Sequence, residues 1–263
     1  LSKIAVYVYH NEVQLIQGKD YTFENGFVNV SKTLTLNDGT TIKGATNDNI
    51  NTSNPISLPS GTVVVDISFG GGKDLIFDGI ISGNGGLKLT SDASGRSLTL
   101  NGANTFSGGV TLGNIAANKP RLNLGHNQAL GAGSLTYQST STAYDPGFDS
   151  LSLSGSLTVG NNIILSSGTT LYISSSSGDD ILSGTISGSG NIKKQHGSTT
   201  LSLSGNNSSY VGSTQVTIGG LKAGHNSAFG SGGVAVTGGA FFDLNGKTLS
   251  NAFDIQGIGP GGV

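Results

Sequence analysis

The block LGHNQALGAG at residues 124–133 returns as KAGHNSAFGSG at residues 222–232. Three further blocks recur in the same order: GIISGNGGLK (79–88) as GTISGSGNIK (184–193), LTLNGANTFSGG (98–109) as LSLSGNNSSYVG (201–212), and LSGSLTVGNNIIL (153–165) as LNGKTLSNAFDI (244–255). The offset between copies is about 90–105 residues, and ordered recurrence of short strand-like pieces is typical of stacked repeat proteins. The pattern predicts a rod that presents surface rather than a pocket arranged for chemistry.

The composition agrees with a β-rich repeat protein. Glycine accounts for 44 of the 263 residues, and charged residues make up 11%, compared with roughly 25% in ordinary globular domains. Apolar residues, 35% of the chain, stand in alternating runs, which permits a packed core and argues against disorder. The net charge of −2 gives no electrostatic reason to expect nucleic acid or an anionic membrane as a partner.

Several segment types are missing from the sequence. There is no Cys, which excludes disulfides and thiolate metal ligands and suits exported bacterial proteins. No window approaches the roughly 18 apolar residues of a membrane span, and no signal peptide is recognisable. Because the chain starts at Leu1 and contains no Met, we expect a fragment or a processed product, from which export signals have been removed.

Three segments are expected along the chain. Residues 1–44 predict a small antiparallel β module with turns at Asn25-Gly26 and Asp38-Gly39, which are strong hairpin signals. Residues 45–60 are polar, contain two prolines and lack periodicity, and so predict a linker. Residues 61–263 are the repeat region, with two long repeats at about 61–165 and 168–259.

We predict an all-β fold in which a right-handed parallel β-helix follows the small module. Each coil would contribute two or three short strands whose side chains alternate between the interior and the solvent. Each coil would take roughly 20–25 residues. The leucines of the alternating runs are predicted to point inward. These inward positions are Leu98, Leu100, Leu122, Leu124, Leu201, Leu203 and Leu221. An antiparallel β-sandwich, which also has many short strands, is the alternative.

The repeated blocks resemble the autotransporter-associated β-strand repeat, also called the passenger-associated transport repeat. That family reads SGSGxLxK, LxLxGxNTYSGxT, GTLxLGxxxALGSG and LDLNGxTLSN. This chain carries ISGSGNIKK (186–194), NGANTFSGGVTL (101–112), LNLGHNQALGAG (122–133) and FDLNGKTLSNAFDI (242–255). The resemblance covers about residues 61–259 and implies a secreted bacterial β-helix without implying one activity. In the family pattern a membrane β-barrel translocator follows the repeats, whereas this sequence stops at Val263 inside the repeat region, so we expect either that the translocator lies outside this sequence or that the protein uses another delivery route.

The first segment resembles a different group of proteins. VYVYHNEVQLIQGKDYTFENGFVNVSKTLTLNDGTTI, at residues 6–42, is similar to a β module of virion structural proteins from tailed phages, cyanophages among them. That module reads VYVNxVxLxxGxDYxFxxxFVxxxxxLxxGDxIxI. The resemblance implies that the chain is part of a phage fibre or tail appendage.

No residue pattern in the sequence supports catalysis, a cofactor or a metal. His126 and His225 occupy equivalent repeat positions, which suggests corner residues that cap strands rather than ligands. His10 and His196 stand in turn-like contexts without visible partners. The segment FGGGKDLIF (69–77) departs from calcium-binding nonapeptides and occurs once. Asp179 and Asp180 could form a carboxylate pair, but adjacent strand residues face opposite sides, and their place after SSSSG favours a solvated turn. We therefore predict no catalytic, cofactor-binding or metal-binding residue and no cofactor.

The leading functional prediction is a non-enzymatic extracellular rod, an adhesin passenger on a bacterial surface. The alternative is a phage tail fibre or another virion appendage, and a β-helix polysaccharide depolymerase is the third possibility. The expected partners are a glycan or protein of a host or cell surface, and further copies of the chain or continuing polypeptide at the solenoid end. No nucleic acid and no membrane insertion are expected.

Overall fold

The computed structural model describes residues 6–10, 13–14, 22–24, 27–29, 33–44, 50–67, 74–91, 96–113, 120–139 and 149–256. These residues form 29 strands and no helix. The chain divides into two compact units, which are Leu1–Leu135 with Ser141–Ala143, and Thr136–Thr140 with Tyr144–Val263. In each unit the strands stack in parallel, so the prediction of an all-β parallel solenoid is confirmed.

The described residues of the first unit form fifteen strands, and a sixteenth begins at Leu135, the last residue of its main segment. They are β1 (Val6–His10), β2 (Val13–Gln14), β3 (Thr22–Glu24), β4 (Phe27–Asn29), β5 (Leu34–Thr35), β6 (Thr41–Gly44), β7 (Ile50–Thr52), β8 (Ile56–Ser57), β9 (Thr62–Asp66), β10 (Leu75–Phe77), β11 (Ile81–Ser82), β12 (Gly86–Thr90), β13 (Ser97–Leu100), β14 (Val110–Leu112), β15 (Arg121–Leu124) and β16 (Leu135–Tyr137).

The first unit has three stacked sheets, which each coil visits in turn. One sheet holds β4, β7, β10, β13 and β15, the second holds β5, β8 and β11, and the third contains β6, β9, β12 and β14. Partners on neighbouring coils are 22–25 residues apart, from Leu34 and Ile56 at 22 to Asn51 and Ile76 at 25. This spacing agrees with the coil length expected from the sequence.

The beginning of the chain is antiparallel, as the sequence predicts. β1 pairs antiparallel with β2 and with β6, and β3 pairs antiparallel with β4 on either side of the expected Asn25-Gly26 turn. The two turn residues themselves lie outside the described residues. At Asp38-Gly39 the turn is present, with a φ of 77° at Gly39. It joins β5 to β6, which pair with β8 and β9 in parallel, so it is a solenoid corner and not a hairpin.

Residues 50–60, the described part of the expected linker, differ from that prediction. They contain β7 and β8, which are paired in parallel with strands before and after them. Ile56 and Leu58 are buried at 1% and 0% exposure. The prolines that suggested a linker, Pro55 and Pro59, stand just before and just after β8 rather than inside it. The described coils of the solenoid therefore begin before residue 61.

The second unit contains shorter coils. Its strands are β17 (Leu151–Leu153), β18 (Thr158–Val159), β19 (Ile163–Leu165), β20 (Thr170–Ser175), β21 (Asp180–Leu182), β22 (Ile186–Gly188), β23 (Asn191–His196), β24 (Thr200–Leu203), β25 (Thr214–Val216), β26 (Gly220–Ala223), β27 (Val234–Val236), β28 (Phe241–Asp243) and β29 (Phe253–Ile255).

Three sheets again form the sides of the second unit. They are β17-β20-β23-β25-β27-β29, β18-β21-β24-β26-β28 and β19-β22, all paired in parallel. The partners Leu171, Ile192, Thr214, Val234 and Phe253 follow each other at 19–22 residues. The boundary predicted between the two long repeats, near residues 165–168, falls inside this unit.

Apolar side chains fill the interior of both units. Strands such as β10, β14, β17 and β27 show the alternation buried, half-buried, buried that a two-faced strand produces. All seven leucines predicted to point inward have exposures of 0–1%, which confirms that prediction. Removal of this apolar surface from water is the main favourable contribution to folding.

A buried asparagine in the repeat connects three consecutive coils. Asn104 accepts a hydrogen bond at Oδ1 from the Ile81 N–H at 2.7 Å and donates one from Nδ2 to the Ala129 carbonyl at 2.7 Å. Asn207, its equivalent in the second copy, makes the same two bonds to Ile186 at 2.6 Å and Ala228 at 2.7 Å. The asparagine that precedes the buried aromatic residue of each block, Phe106 or Tyr210, thus has one structural role in both units.

Glycines permit the coils to approach each other closely at the corners. In the second unit a Cβ on Gly212 would overlap the carbonyl oxygen of Gly190, and a Cβ on Gly232 would overlap that of Gly212. In the first unit, Gly108 and Gly133 lie against the backbone of the preceding coil in the same way. A side chain at these positions would push neighbouring backbones apart, which side-chain rotation cannot relieve.

We expect Gly212→Ala to destabilise the protein strongly. The new methyl group would overlap backbone, and overpacking of this kind costs about 1–3 kcal/mol or more. Gly160→Ala is the matched control, because only Ser183 Oγ lies near the added Cβ, at 3.7 Å. Its effect should stay within about 1 kcal/mol and can be stabilising. Urea unfolding measures both, and similar midpoints for the two variants would contradict the close approach.

Asn207→Ala should remove both bonds that this side chain makes. Two buried backbone groups, Ile186 N–H and Ala228 C=O, would lose their partners, at about 1–3 kcal/mol each. The neighbouring Asn206 is exposed, so Asn206→Ala should change the free energy of unfolding by less than about 0.5 kcal/mol. Equal destabilisation of the two variants in urea titrations would show that the hydrogen bonds of Asn207 are unimportant.

Candidate functional site

A buried polar cluster interrupts the apolar interior of the second unit. It consists of Asp149, Ser175, Asp180, Lys194, His196 and Thr199. Lys194 is in register with Ile173 and Val216 on the neighbouring strands, so the strand places it where an aliphatic side chain would be expected. A register shift in the pairing of β20 with β23 lies next to it, between Ile173 and Ser174.

Backbone carbonyl groups hold the Lys194 ammonium group. Nζ donates hydrogen bonds to the carbonyl oxygens of His196 at 3.2 Å, Gly197 at 2.8 Å and Ile218 at 2.9 Å. The three bonds use all three donors of an ammonium group. Since the residue is 0% exposed, this contact with carbonyl dipoles replaces the water that the charge has lost.

Two carboxylates of the cluster are also satisfied within the protein. Asp180, at 0% exposure, accepts hydrogen bonds from the Leu157 N–H at 2.7 Å and from Ser175 Oγ at 2.5 Å. Asp149 lies 2.9 Å from Nδ1 of His196 through both oxygens. The cluster therefore binds chain segments together, because Asp149 and His196 are 47 residues apart.

Burial changes the titration of Lys194. Desolvation lowers the pKa of its ammonium group from 10.5 to about 8, and the carboxylates of Asp149 and Asp180 partly oppose that change. Burial also raises the pKa of Tyr210 to about 12 and that of Tyr137 above its usual value. An amine with this pKa could act as a base or nucleophile, but its three donors are committed to carbonyl groups inside the protein.

Sequence reasoning missed most of this cluster. His196 was expected to stand in a turn without a partner, yet it ends β23 and pairs with Asp149. Asp180 was expected in a solvated turn, yet it begins β21 and is buried. Asp179, just before the strand, is exposed and accepts from the Thr200 N–H at 2.8 Å. One signal in the sequence could have indicated the burial of Lys194. Side chains alternate along a strand, so if Ile192 points inward, Lys194 is the next inward residue.

The repeated histidines are corner residues. His126 Nδ1 accepts from the Gln128 N–H at 3.1 Å, and His225 Nδ1 accepts from the Ser227 N–H at 2.9 Å. The histidine carbonyls accept from Ala129 and Ala228 in the same turn. Both side chains therefore fold the loop back on itself, in agreement with the expected strand-capping role. His10 ends β1, and its side chain lies outside the described residues.

The weak calcium-like segment does not form a described metal site. Residues 68–73 lie outside the described residues, and Asp74 accepts hydrogen bonds from Ser97 N–H at 2.9 Å and Ser97 Oγ at 2.7 Å. Across the part of the chain that the structure describes, no group of three or more His, Asp or Glu side chains is placed to hold a metal ion. In the same residues, no helix has the length and apolar character needed to span a bilayer.

An open groove of about 440 Å³ lies on the outer face of the second unit. It runs across β25, β27 and β29 and is lined by Ser213, Thr214, Gln215, Gly233, Val234, Ala235, Ala252, Phe253 and Asp254. The outward row in register is Gln215, Ala235 and Asp254. Ala235 is shorter than the polar side chains on either side of it in this row, and no recognisable sequence motif marks the groove.

No family model, curated protein or solved structure matches the chain.

The pKa of Lys194 leads to a pH prediction. Between pH 8 and 10 the unfolded chain binds more protons than the folded one at this residue, so the free energy of unfolding should rise with pH. Above pH 10 the raised pKa of Tyr210 acts oppositely, because the unfolded tyrosine loses its proton first and stability falls. Urea midpoints between pH 7 and 11 measure both slopes.

Two variants show which residue causes each change of the free energy of unfolding with pH. Lys194→Met should lose the rise between pH 8 and 10, and Tyr210→Phe should weaken the fall above pH 10. A Lys194→Met protein with the parent's pH profile would contradict the buried position of the ammonium group.

Proposed function

We propose that the protein is a non-enzymatic extracellular structural or adhesive rod, located on a bacterial surface, whose outer faces attach to or recognise a glycan or protein of another surface. The proposal is supported chiefly by the observation that buried polar side chains bond to other groups of the same chain. In the described parts of both units, buried polar groups such as Asn104, Asn207 and Lys194 are bonded within the chain. Recognition is then left to the outward rows of the sheets.

The arrangement of acidic groups supports this choice over a polysaccharide depolymerase. Glycosidases need two carboxyl groups facing one bond, about 5–10 Å apart. Among the described residues, Asp38, Asp74 and Asp179 each accept hydrogen bonds from the next coil. Asp180 and Asp149 face inward, and Asp243 pairs with Lys222 at 3.6 Å. These carboxylates serve coil contacts.

A phage tail fibre or other virion appendage is the second candidate. The antiparallel pairing of β1 with β2 and of β3 with β4 agrees with a compact β module at the segment that resembles virion proteins. In that case the protein is located in the virion. Immunogold labelling of phage particles and of bacterial cells, with antibody to the protein, would distinguish the two locations.

The last described coil supports an assembly partner. Phe253 and Ile255 are 38% and 59% exposed, although their register partners Val234 and Val236 are buried at 1%. An inward row that is exposed, next to a strand edge, favours association with further β structure. We expect another copy of the chain, or polypeptide beyond residue 256, to stack on β29.

Two measurements on the purified protein test the proposed function. Incubation with a panel of polysaccharides should produce no new reducing ends, and the protein should be retained saturably on immobilised host-surface material. Protein unfolded by boiling is the control and should not be retained, because the outward rows exist only when the strands are in register. Catalytic release of reducing ends would overturn the proposal, as would the absence of saturable retention on every surface.

A further inference from the structure

The outer row of the largest sheet of the second unit has a mixed chemistry. In register it reads Tyr172, Lys193, Gln215, Ala235 and Asp254, one residue from each of β20, β23, β25, β27 and β29. Neighbouring strands are about 4.8 Å apart, so successive side chains form an evenly spaced ladder. The groove described above occupies the last three positions of this row.

The polar groups of the groove are oriented for a ligand with hydroxyl groups. Gln256 Nε2 donates to both oxygens of Asp254, at 3.1 Å and 2.9 Å, which fixes the carboxylate on one side. The remaining lone pairs of this exposed carboxylate can accept further bonds. The Gln215 side chain makes no hydrogen bond to any residue that the structure describes, and its amide both donates and accepts.

The floor between these groups is small and apolar. Gly233, Ala235 and Ala252 leave space that larger side chains would fill. A sugar ring has apolar C–H faces and polar hydroxyl edges, so it matches a small apolar floor bordered by an amide and a carboxylate. The volume of about 440 Å³ lies in the range of ligand sites.

We propose that this groove binds an uncharged oligosaccharide laid across β25, β27 and β29, with hydroxyl groups bonded to Gln215 and Asp254 and a ring face on Ala235. The ligand crosses the strands along the row, so a longer chain would reach Lys193 and Tyr172. This inference rests on the proposed function and names its ligand class and its site.

The same geometry disfavours other polymers. A peptide that adds as a strand would pair along the outer edge of β29 and would not lie across β25 and β27, whose backbones are paired on both sides. A polyanion would meet the Asp254 carboxylate in a chain whose net charge is −2. Uncharged sugars avoid both costs.

The test uses the full chain on a glycan array that holds glucans, mannans and galactans beside polygalacturonate and sulfated glycans. Ala235→Trp fills the groove from an outward strand position, and Asp254→Asn removes the charge at constant shape. Ser202→Trp, outward on β24 in a different sheet, is the matched control. Thermal unfolding followed by circular dichroism verifies that each variant is folded.

The parent and the Ser202→Trp protein should bind at least one uncharged oligosaccharide with similar affinity. Ala235→Trp should weaken that binding by about tenfold or more because the indole occupies the space of the ligand, and Asp254→Asn should do so because hydrogen bonds to a charged acceptor are lost. If Ala235→Trp does not fold, Asp254→Asn alone decides.

Unchanged binding by both groove variants would overturn the site, and binding to anionic glycans alone would overturn the ligand class. Saturable retention on protein-coated surfaces without any glycan binding would overturn this inference and leave the proposed function standing. Release of reducing ends would overturn the proposed function instead.

Discussion

The closest approach between successive coils is the constraint on which both units depend. Strands stacked in parallel lie about 4.8 Å apart, and at the corners this brings backbone against backbone. The columns Gly190, Gly212 and Gly232 in one unit, and Gly108 and Gly133 in the other, lie at such contacts. A chain that meets this constraint at every coil must repeat its glycines, which is why they recur at matching places in the copied blocks.

Hydrogen bonds between coils follow from the same stacking. A carboxylate or amide before a strand accepts from the Ser or Thr that stands one coil later: Asn162 from Thr185 at 3.1 and 2.8 Å, and Asn191 from Ser213 at 3.0 and 2.9 Å. These pairs bond backbone N–H groups that would otherwise lack partners at the corners. They agree with a sequence rich in Asn, Ser and Thr and poor in charge, because short neutral side chains can bond to the neighbouring coil.

The parts of the fold that were predictable are those set by local alternation and by repetition. Leu98 and Leu201 were placed inward from their strands alone, and the equivalence of His126 and His225 followed from the copied blocks. Strand β8 was not predicted because Pro55 and Pro59 flank it and suggested a linker. Composition cannot show that a neighbouring coil supplies hydrogen-bond partners to this strand. Asp149 and His196 are 47 residues apart and meet only through the stack, so no spacing rule could pair them.

The groove illustrates how the register of stacked strands, rather than a contiguous sequence motif, brings side chains together on the surface of such a protein. Gln215, Ala235 and Asp254 are far apart in sequence, and none stands in a recognisable signature. The interior of each coil is closed by packing and by bonds such as those of Lys194, so a variation there destabilises the stack. Outward side chains that make no bond to a neighbouring coil, such as Ala235, can be replaced without loss of these contacts. In the proposed function, such replacements would change binding specificity one position at a time on a scaffold whose coil contacts stay the same.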